Sequence, residues 1–80
     1  MTFAEEIKIT RQRAFLSQEA FAKEINSSVA SINRWENGRG KPNLTTMKHI
    51  KEFCEKHNLP YEKIECEWLS FSQGGKELND

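Results

Sequence analysis

Residues 16–42, LSQEAFAKEINSSVASINRWENGRGKP, decide the fold of this 80-residue chain. Near the start of this stretch, Phe21 and Ile25 stand four residues apart, the spacing of one helix face. This spacing predicts a short amphipathic helix over residues 18–25. Ser17 stands directly before it, where a hydroxyl can accept a hydrogen bond from a free amide of the first turn. The stretch therefore opens with a capped helix.

A polar break at residues 26–28 separates this helix from a second one, predicted over residues 28–36. Ile32 and Trp35 are three residues apart and are its predicted inward anchors. Gly38 follows the helix, where a left-handed residue commonly ends one. Two short helices joined by such a turn form a helix-turn-helix unit.

The flanking sequence predicts three further helices. A Thr2–Glu5 capping box begins a helix that runs to about Arg13, and Asn43 can cap a fourth helix. A fifth segment follows Pro60, whereas residues 70–80 contain Gly-Gly without periodicity and are expected to be a flexible tail. No strand-like alternation is present. The predicted apolar positions of the fourth helix are Leu44, Met47, Ile50 and either Phe53 or Cys54. The chain is predicted to be all-α, with five short helices in one domain over residues 1–69.

Charge is unevenly distributed along a chain whose net charge is zero. Residues 1–51 carry nine basic and five acidic groups, whereas residues 52–80 carry three basic and seven acidic groups. The surplus of four positive charges in the first part favours a polyanionic partner there, although ordinary solvated helix faces would give the same count. Apolar runs are too short for a membrane span, and no secretory signal is visible, so a cytoplasmic protein is expected.

Several linked features resemble the phage repressor and Cro-like (XRE-type) helix-turn-helix family. They are the run LSQE at residues 16–19, Phe21-Ala22, the run SINRWENG at residues 31–38, and Lys41-Pro42. The resemblance covers roughly residues 5–59. It implies a lambda-repressor-like bundle in which helices 2 and 3 form the helix-turn-helix. It also implies sequence-specific binding to double-stranded DNA, with a recognition helix at about 28–36 in the major groove, and a transcriptional repressor in a prokaryotic or phage-infected cell, associated with the nucleoid.

The resemblance also implies roles for individual positions. The base-reading positions are Ser28, Val29, Ala30, Asn33 and Arg34. The phosphate-binding positions are Gln18, Asn37, Arg39 and Lys41. Arg11 and Glu36 match a partly buried ion pair that links the first helix to the end of the third.

The chemistry of the reading face agrees with these roles. With Ile32 and Trp35 turned inward, the 100° step per residue turns Asn33 and Arg34 toward solvent. Arg34 can donate two hydrogen bonds to guanine, Asn33 can pair with adenine, and neighbouring methyl groups suit thymine. The alternatives are a solvated Arg34, Val29 and Ala30 packed in the core, unrelated surface charges at Arg11 and Glu36, and a solubilising loop at Arg39 and Lys41.

Some positions depart from the family pattern. Phe15 and Asn26 stand where the family usually has Gly, Ser27 stands where it has an apolar residue, and Thr10 replaces a usual Leu. A correctly folded but less stable unit is expected.

A homodimer on a pseudo-palindrome is the expected assembly, with half-sites roughly 34 Å apart or a multiple of that. The last helix has more large apolar groups than one short helix needs, so it is predicted to supply the dimer contact. These groups are Leu59, Tyr61, Ile64, Trp68 and Leu69. No small-molecule effector is expected.

Three other functions compete with DNA binding as interpretations of this sequence. The acidic second part of the chain keeps open a protein-interaction or antitoxin-like module with the same fold. Cys54 and His57 share a helix face, but no second paired motif completes a zinc site, and Cys54 fits the apolar stripe. Ser17 with His49 or His57 has no activating partner, so no enzyme activity is expected. No metal or cofactor is predicted.

Overall fold

Five α-helices and no strand occur in residues 1–71, the part of the chain that the computed structural model describes. The helices are α1 (Phe3–Arg13), α2 (Gln18–Glu24), α3 (Val29–Glu36), α4 (Leu44–Lys56) and α5 (Glu62–Ser70). This arrangement confirms the predicted all-α class and the helix-turn-helix formed by α2 and α3. The Cα radius of gyration is 11.5 Å, close to the roughly 12 Å of a compact chain of this length.

A side-chain cap begins each of the first four helices. Thr2 Oγ1 accepts from the amide of Glu5, and the Glu5 carboxylate accepts from the Thr2 amide, which completes the predicted capping box. Ser17, Ser28 and Asn43 each accept from the amide three residues later, at 3.1, 3.1 and 2.9 Å. Each such cap stabilises its helix by about 1 kcal/mol. These local contacts fix where the helices begin.

A left-handed residue follows each of the first four helices. Phe15, Asn26 and Asn58 have φ values of 59°, 58° and 58°, and Gly38 has a φ of 75°. Gly and Asn adopt this conformation readily, whereas a bulky side chain is strained in it. Phe15 is 93% exposed, so its ring gains no packing in the fold that would offset this strain.

The core lies where α1, α2, α3 and α4 meet, and α5 closes it against α1. Ile32 and Trp35 are buried, as their spacing predicts. The other buried apolar residues of the core are Phe3, Ile7, Phe21, Ala22, Ile25, Met47, Ile50, Phe53, Cys54 and Ile64. Leu44 is an exception to the predicted stripe of α4, because it is 74% exposed. It is the first residue of the helix, and the buried stripe begins one turn later at Met47.

Four of the five apolar residues of the last segment, which were predicted to form a dimer contact, pack against the chain's own core. Ile64 is 1% exposed, and Leu59, Tyr61 and Trp68 pack against the core cluster. Leu69 alone among the five is mostly exposed, at 66%. The physical reason is the thin core of so short a chain, which needs the apolar face of α5 to cover α1.

The predicted boundary at residue 69 falls near the end of α5, which continues to Ser70. The Ser70 hydroxyl donates to the Cys66 carbonyl at 2.9 Å, within this last turn. Residues 72–80, which make up most of the predicted flexible tail, lie outside the described residues. No helix in the described part has the length and apolar content needed to span a membrane.

Candidate nucleic-acid interface

The outward face of α3 and its cap carries the residues expected to read bases. All five are exposed, and the two inward anchors on the opposite side are buried. The exposed residues are Ser28, Val29, Ala30, Asn33 and Arg34. Val29 is 43% exposed, so its methyl groups do not belong to the core. The face therefore presents two methyl-bearing side chains near its start and two hydrogen-bonding side chains near its end.

Two of these side chains already hold hydrogen bonds inside the fold. Ser28 Oγ accepts from the Ser31 amide and donates to the Ser31 hydroxyl at 3.0 Å, so it acts as a helix cap. Asn33 Oδ1 and the Asn33 carbonyl both accept from Asn37 Nδ2, at 3.2 and 2.8 Å. The amide group of Asn33 is thereby held in one orientation by Asn37. Arg34 is the third hydrogen-bonding side chain on this face and the longest donor.

An ion pair joins the end of α3 to the first helix. Arg11 Nε lies 2.7 Å from Glu36 Oε2 and Arg11 Nη2 lies 3.0 Å from Oε1. The side chains are 13% and 4% exposed, respectively. The hydrogen bond to Glu36 raises the pKa of Arg11 above its usual range. Arg11 Nη1 also donates to the Leu16 carbonyl at 2.9 Å, so one guanidinium links α1, the α1–α2 loop and α3.

Gln18 belongs to the same network. Its Nε2 donates to Glu36 Oε1 at 3.1 Å, which ties the first residue of α2 to the last residue of α3. The amide nitrogen carries a second hydrogen, and its Oε1 can accept, so the group keeps hydrogen-bonding capacity for a ligand. The network fixes the angle between the two helices of the helix-turn-helix unit.

Lys41, one of the positions expected to bind phosphate, is held within the fold. Its Nζ donates to the Trp68 carbonyl at 2.7 Å and lies 4.5 Å from the centroid of the Trp68 ring. Trp68 Nε1 in turn donates to the Pro42 carbonyl at 2.7 Å. The ammonium therefore fastens the loop after α3 to α5, and a hydrogen bond together with a cation–π contact opposes its release toward a phosphate. Arg39, in the same loop, is exposed.

A small charged cluster joins the end of α2 to the end of α4. His57 Nε2 and Lys56 Nζ lie 3.3 and 3.5 Å from Glu24 Oε1. The hydrogen bond from His57, supported by the charge of Lys56, lowers the pKa of Glu24. This cluster holds the end of α2 against α4 and involves none of the expected DNA-contacting residues.

Cys54 and His57 do not come together as metal ligands. Cys54 is fully buried, and burial raises the pKa of its thiol to about 11, whereas His57 faces Glu24. Within residues 1–71, no three His, Cys, Asp or Glu side chains form a group that could hold a metal ion. The geometry thus gives Cys54 a packing role.

Sequence reasoning missed one neighbour of Arg34. Gly40 is buried beneath the Arg34 side chain: a Cβ added to it would lie 3.2 Å from Arg34 Nε. No signal in the sequence points to this contact, because a glycine between two basic residues is ordinary for a loop. It depends on how the loop folds back after α3.

Comparison with known proteins agrees with this geometry. A helix-turn-helix family model matches residues 7–57. A segment of 53 residues, 66% of this chain, is 36% identical to the HTH-type transcriptional activator BcrR of Enterococcus faecalis and spans 26% of that protein. No solved structure matches the chain significantly. Since the family model covers more than half of the sequence and its match includes both α2 and α3, the chain belongs to the XRE-type helix-turn-helix family of DNA-binding domains.

Proposed function

We propose that this chain binds duplex DNA sequence-specifically, with α3 lying in the major groove. The observation that carries the proposal is the division of α3 into two faces. Ile32 and Trp35 are buried, whereas Val29, Asn33 and Arg34 on the other side are exposed. The major groove of B-DNA admits one helix, and each base pair presents a distinct pattern there. An exposed, polar-ended helix face on a rigid support is suited to that groove.

Base preference is expected to come mainly from Arg34. A guanidinium can donate two hydrogen bonds to O6 and N7 of guanine, and such a pair discriminates by about 1–3 kcal/mol. Val29 and Ala30 offer methyl groups that suit the thymine C5-methyl. Asn33 is assigned to adenine, in the orientation that Asn37 gives its amide. The Ser28 hydroxyl is occupied as a cap, so its proposed contribution is secondary.

Backbone phosphates are proposed to contact Gln18 and Arg39, at the start of α2 and in the loop after α3. The proposed contact of Asn37 is secondary, because its Nδ2 donates to Asn33 in the fold. The surplus of basic groups in residues 1–51 supports an anionic partner for this part of the chain. Lys41 is left out of the phosphate set, because its ammonium is bound to Trp68. Phosphate contacts would fix the register of α3 without reading sequence.

Regulation of transcription is the proposed consequence of this binding, on nucleoid DNA in the cytoplasm. The Enterococcus faecalis relative is named an activator, so its name does not support the repressor role expected from the sequence. We propose that the effect depends on where the bound site lies in a promoter. Repression results where the site overlaps that of the polymerase.

Two copies are proposed to occupy the halves of a pseudo-palindrome, with α3 helices about 34 Å apart. A stable interface buries about 800 Å² per partner. Because Leu69 is the one mostly exposed residue of the five expected on the contact, α5 offers a small apolar surface. Pairing is therefore expected to form on DNA rather than in free solution.

Selection of bound sites from random duplexes, repeated at two salt concentrations, tests the proposed function. DNA readout predicts an enriched motif and an affinity that falls steeply with salt. As a matched control, Lys63→Ala changes an exposed lysine on α5 and is expected to leave both results unchanged. A wild-type chain that enriches no motif would instead support an interaction module and would overturn the proposal.

A further inference from the structure

The two glycines of the loop after α3 serve different purposes. Gly38 has a φ of 75° and open space around the position of a Cβ, so it is required by the backbone. Gly40 lies outside the left-handed region, yet it is buried. An added Cβ there would lie 3.2 Å from Arg34 Nε, 3.6 Å from Cζ and 3.7 Å from Nη2. The absence of a side chain at Gly40 therefore leaves room for the side chain of Arg34.

The same loop is tied to the backbone of Arg34. The amide of Arg39 donates to the Arg34 carbonyl at 2.9 Å, and the amide of Asn37 donates to it at 3.3 Å. The chain thus turns back on residue 34 and brings Gly40 under its guanidinium. On the other side of the loop, Lys41 is fastened to Trp68. The loop segment beneath Arg34 is therefore anchored on both sides of Gly40.

We propose that Gly40 is a positioning residue for Arg34 and sharpens the base preference of the recognition helix. Because residue 40 has no side chain, the Arg34 guanidinium can lie against its backbone. This contact restricts the conformations of the long, flexible arginine before DNA binds. A side chain that is ordered in advance loses less entropy on binding and discriminates better between correct and incorrect partners. This inference rests on the proposed function, since it needs Arg34 to read a base.

Gly40→Ala isolates this role. Alanine is compatible with the backbone at residue 40, and the added methyl meets the flexible end of a side chain, so the fold is expected to persist. In NMR spectra, the Nε–Hε signal of Arg34 is expected to shift, whereas the backbone amides of α1 and α4 stay in place. An unchanged Arg34 signal would show that residue 40 does not contact the Arg34 side chain and would overturn the proposal.

Base discrimination provides the functional readout. Relative affinities for the selected site and its single-base variants are measured for wild type, Gly40→Ala, Arg34→Ala and the double variant. Gly40→Ala is expected to lower discrimination about threefold or more at the position that Arg34 reads, while affinity for nonspecific duplex stays within about twofold. In the Arg34→Ala background the same change is expected to have no further effect, because the two residues act as one unit.

The outcomes separate this inference from the function on which it rests. A wild-type chain without sequence preference overturns both. A chain that reads sequence through Arg34, but discriminates equally well with Gly40→Ala, overturns the positioning role alone. An effect of Gly40→Ala that persists without Arg34 also overturns it, since the methyl would then be acting through the loop.

Discussion

Arg39 and Lys41 show how two basic residues in one loop acquire different roles. Arg39 is exposed, whereas Lys41 donates to the Trp68 carbonyl and lies over the Trp68 ring. We predict that Arg39→Ala weakens binding to all duplexes alike and lowers the salt slope by about one. Lys41→Ala is expected to leave the salt slope unchanged and to lower the free energy of unfolding. Salt-dependent binding and urea denaturation of both variants measure these effects. A lower slope for Lys41→Ala would contradict the assignment.

Phe15 combines a left-handed backbone conformation with a bulky side chain that disfavours it. A left-handed conformation costs a non-glycine residue roughly 1–2 kcal/mol, and Asn tolerates it better than most. Because the ring is 93% exposed, Phe15→Asn loses little packing and is predicted to raise the free energy of unfolding by about 0.5–1 kcal/mol. Urea denaturation measures the change.

The reciprocal variant provides the control for this prediction. Asn58 has nearly the same φ, 58°, and Asn58→Ala is expected to destabilise the fold by a similar amount. If Phe15→Asn is less stable than wild type, the exposed ring has a structural role that its surroundings do not explain.

At the scale of secondary-structure elements, the Arg11–Glu36 pair holds the recognition helix in place. Removing one partner of a buried ion pair costs about 3–5 kcal/mol, because the other charge stays buried without compensation. Arg11→Ala is therefore predicted to destabilise or unfold the domain. Arg13→Ala, an exposed change on the same helix, should alter stability by less than about 0.5 kcal/mol. Thermal unfolding compares the two, and equal effects would show that the pair does not hold α3.

The thiol of Cys54 makes the packing of α4 sensitive to alkaline pH. Its pKa is about 11 in the fold against an ordinary value of 9.0. Since the folded-state pKa is the higher one, the stabilisation is complete below pH 9 and is lost as the pH rises toward 11. The free energy of unfolding is predicted to fall by about 1 kcal/mol between pH 8 and 10 from this group.

Urea denaturation across this pH range gives the free energy of unfolding of each variant. The variants are compared by the slope of this free energy against pH, because Cys54→Ala also removes buried volume and so changes the absolute stability. Cys54→Ala is expected to flatten the decline, whereas the exposed Cys66, changed to Ser, should leave it intact. The pKa of Tyr61 is also raised, first by burial and to a smaller extent by the charges of Glu65 and Cys54, and the burial contribution remains in both variants. An equally steep decline in Cys54→Ala would contradict the assignment to this thiol.

For the whole molecule, local signals predicted much of the fold. The caps at Thr2, Ser17, Ser28 and Asn43 were predictable because a cap involves residues three apart. The inward positions of Ile32 and Trp35 followed from helical periodicity. The bounds of the first four helices then follow, because each begins at a side-chain cap and ends before a left-handed residue, whereas α5 begins without a side-chain cap.

Contacts between distant parts of the chain were not predictable in the same way. Lys41 and Trp68 stand 27 residues apart, and nothing in either segment indicates that they meet. The apolar residues of the last helix could face a partner or the chain's own core, and periodicity does not distinguish the two. The structure assigns Ile64 and Trp68 to the core because α1 would otherwise be uncovered. The Gly40–Arg34 contact likewise depends on the folded loop.

The base preference of Arg34→Ala, compared with wild type across all single-base variants of the selected site, shows whether α3 reads bases through Arg34. If it does, the preference relaxes at one base position by about 1–3 kcal/mol and stays unchanged at the others. Equal weakening of every duplex would contradict it, because Arg34 would then contact the DNA backbone instead of a base.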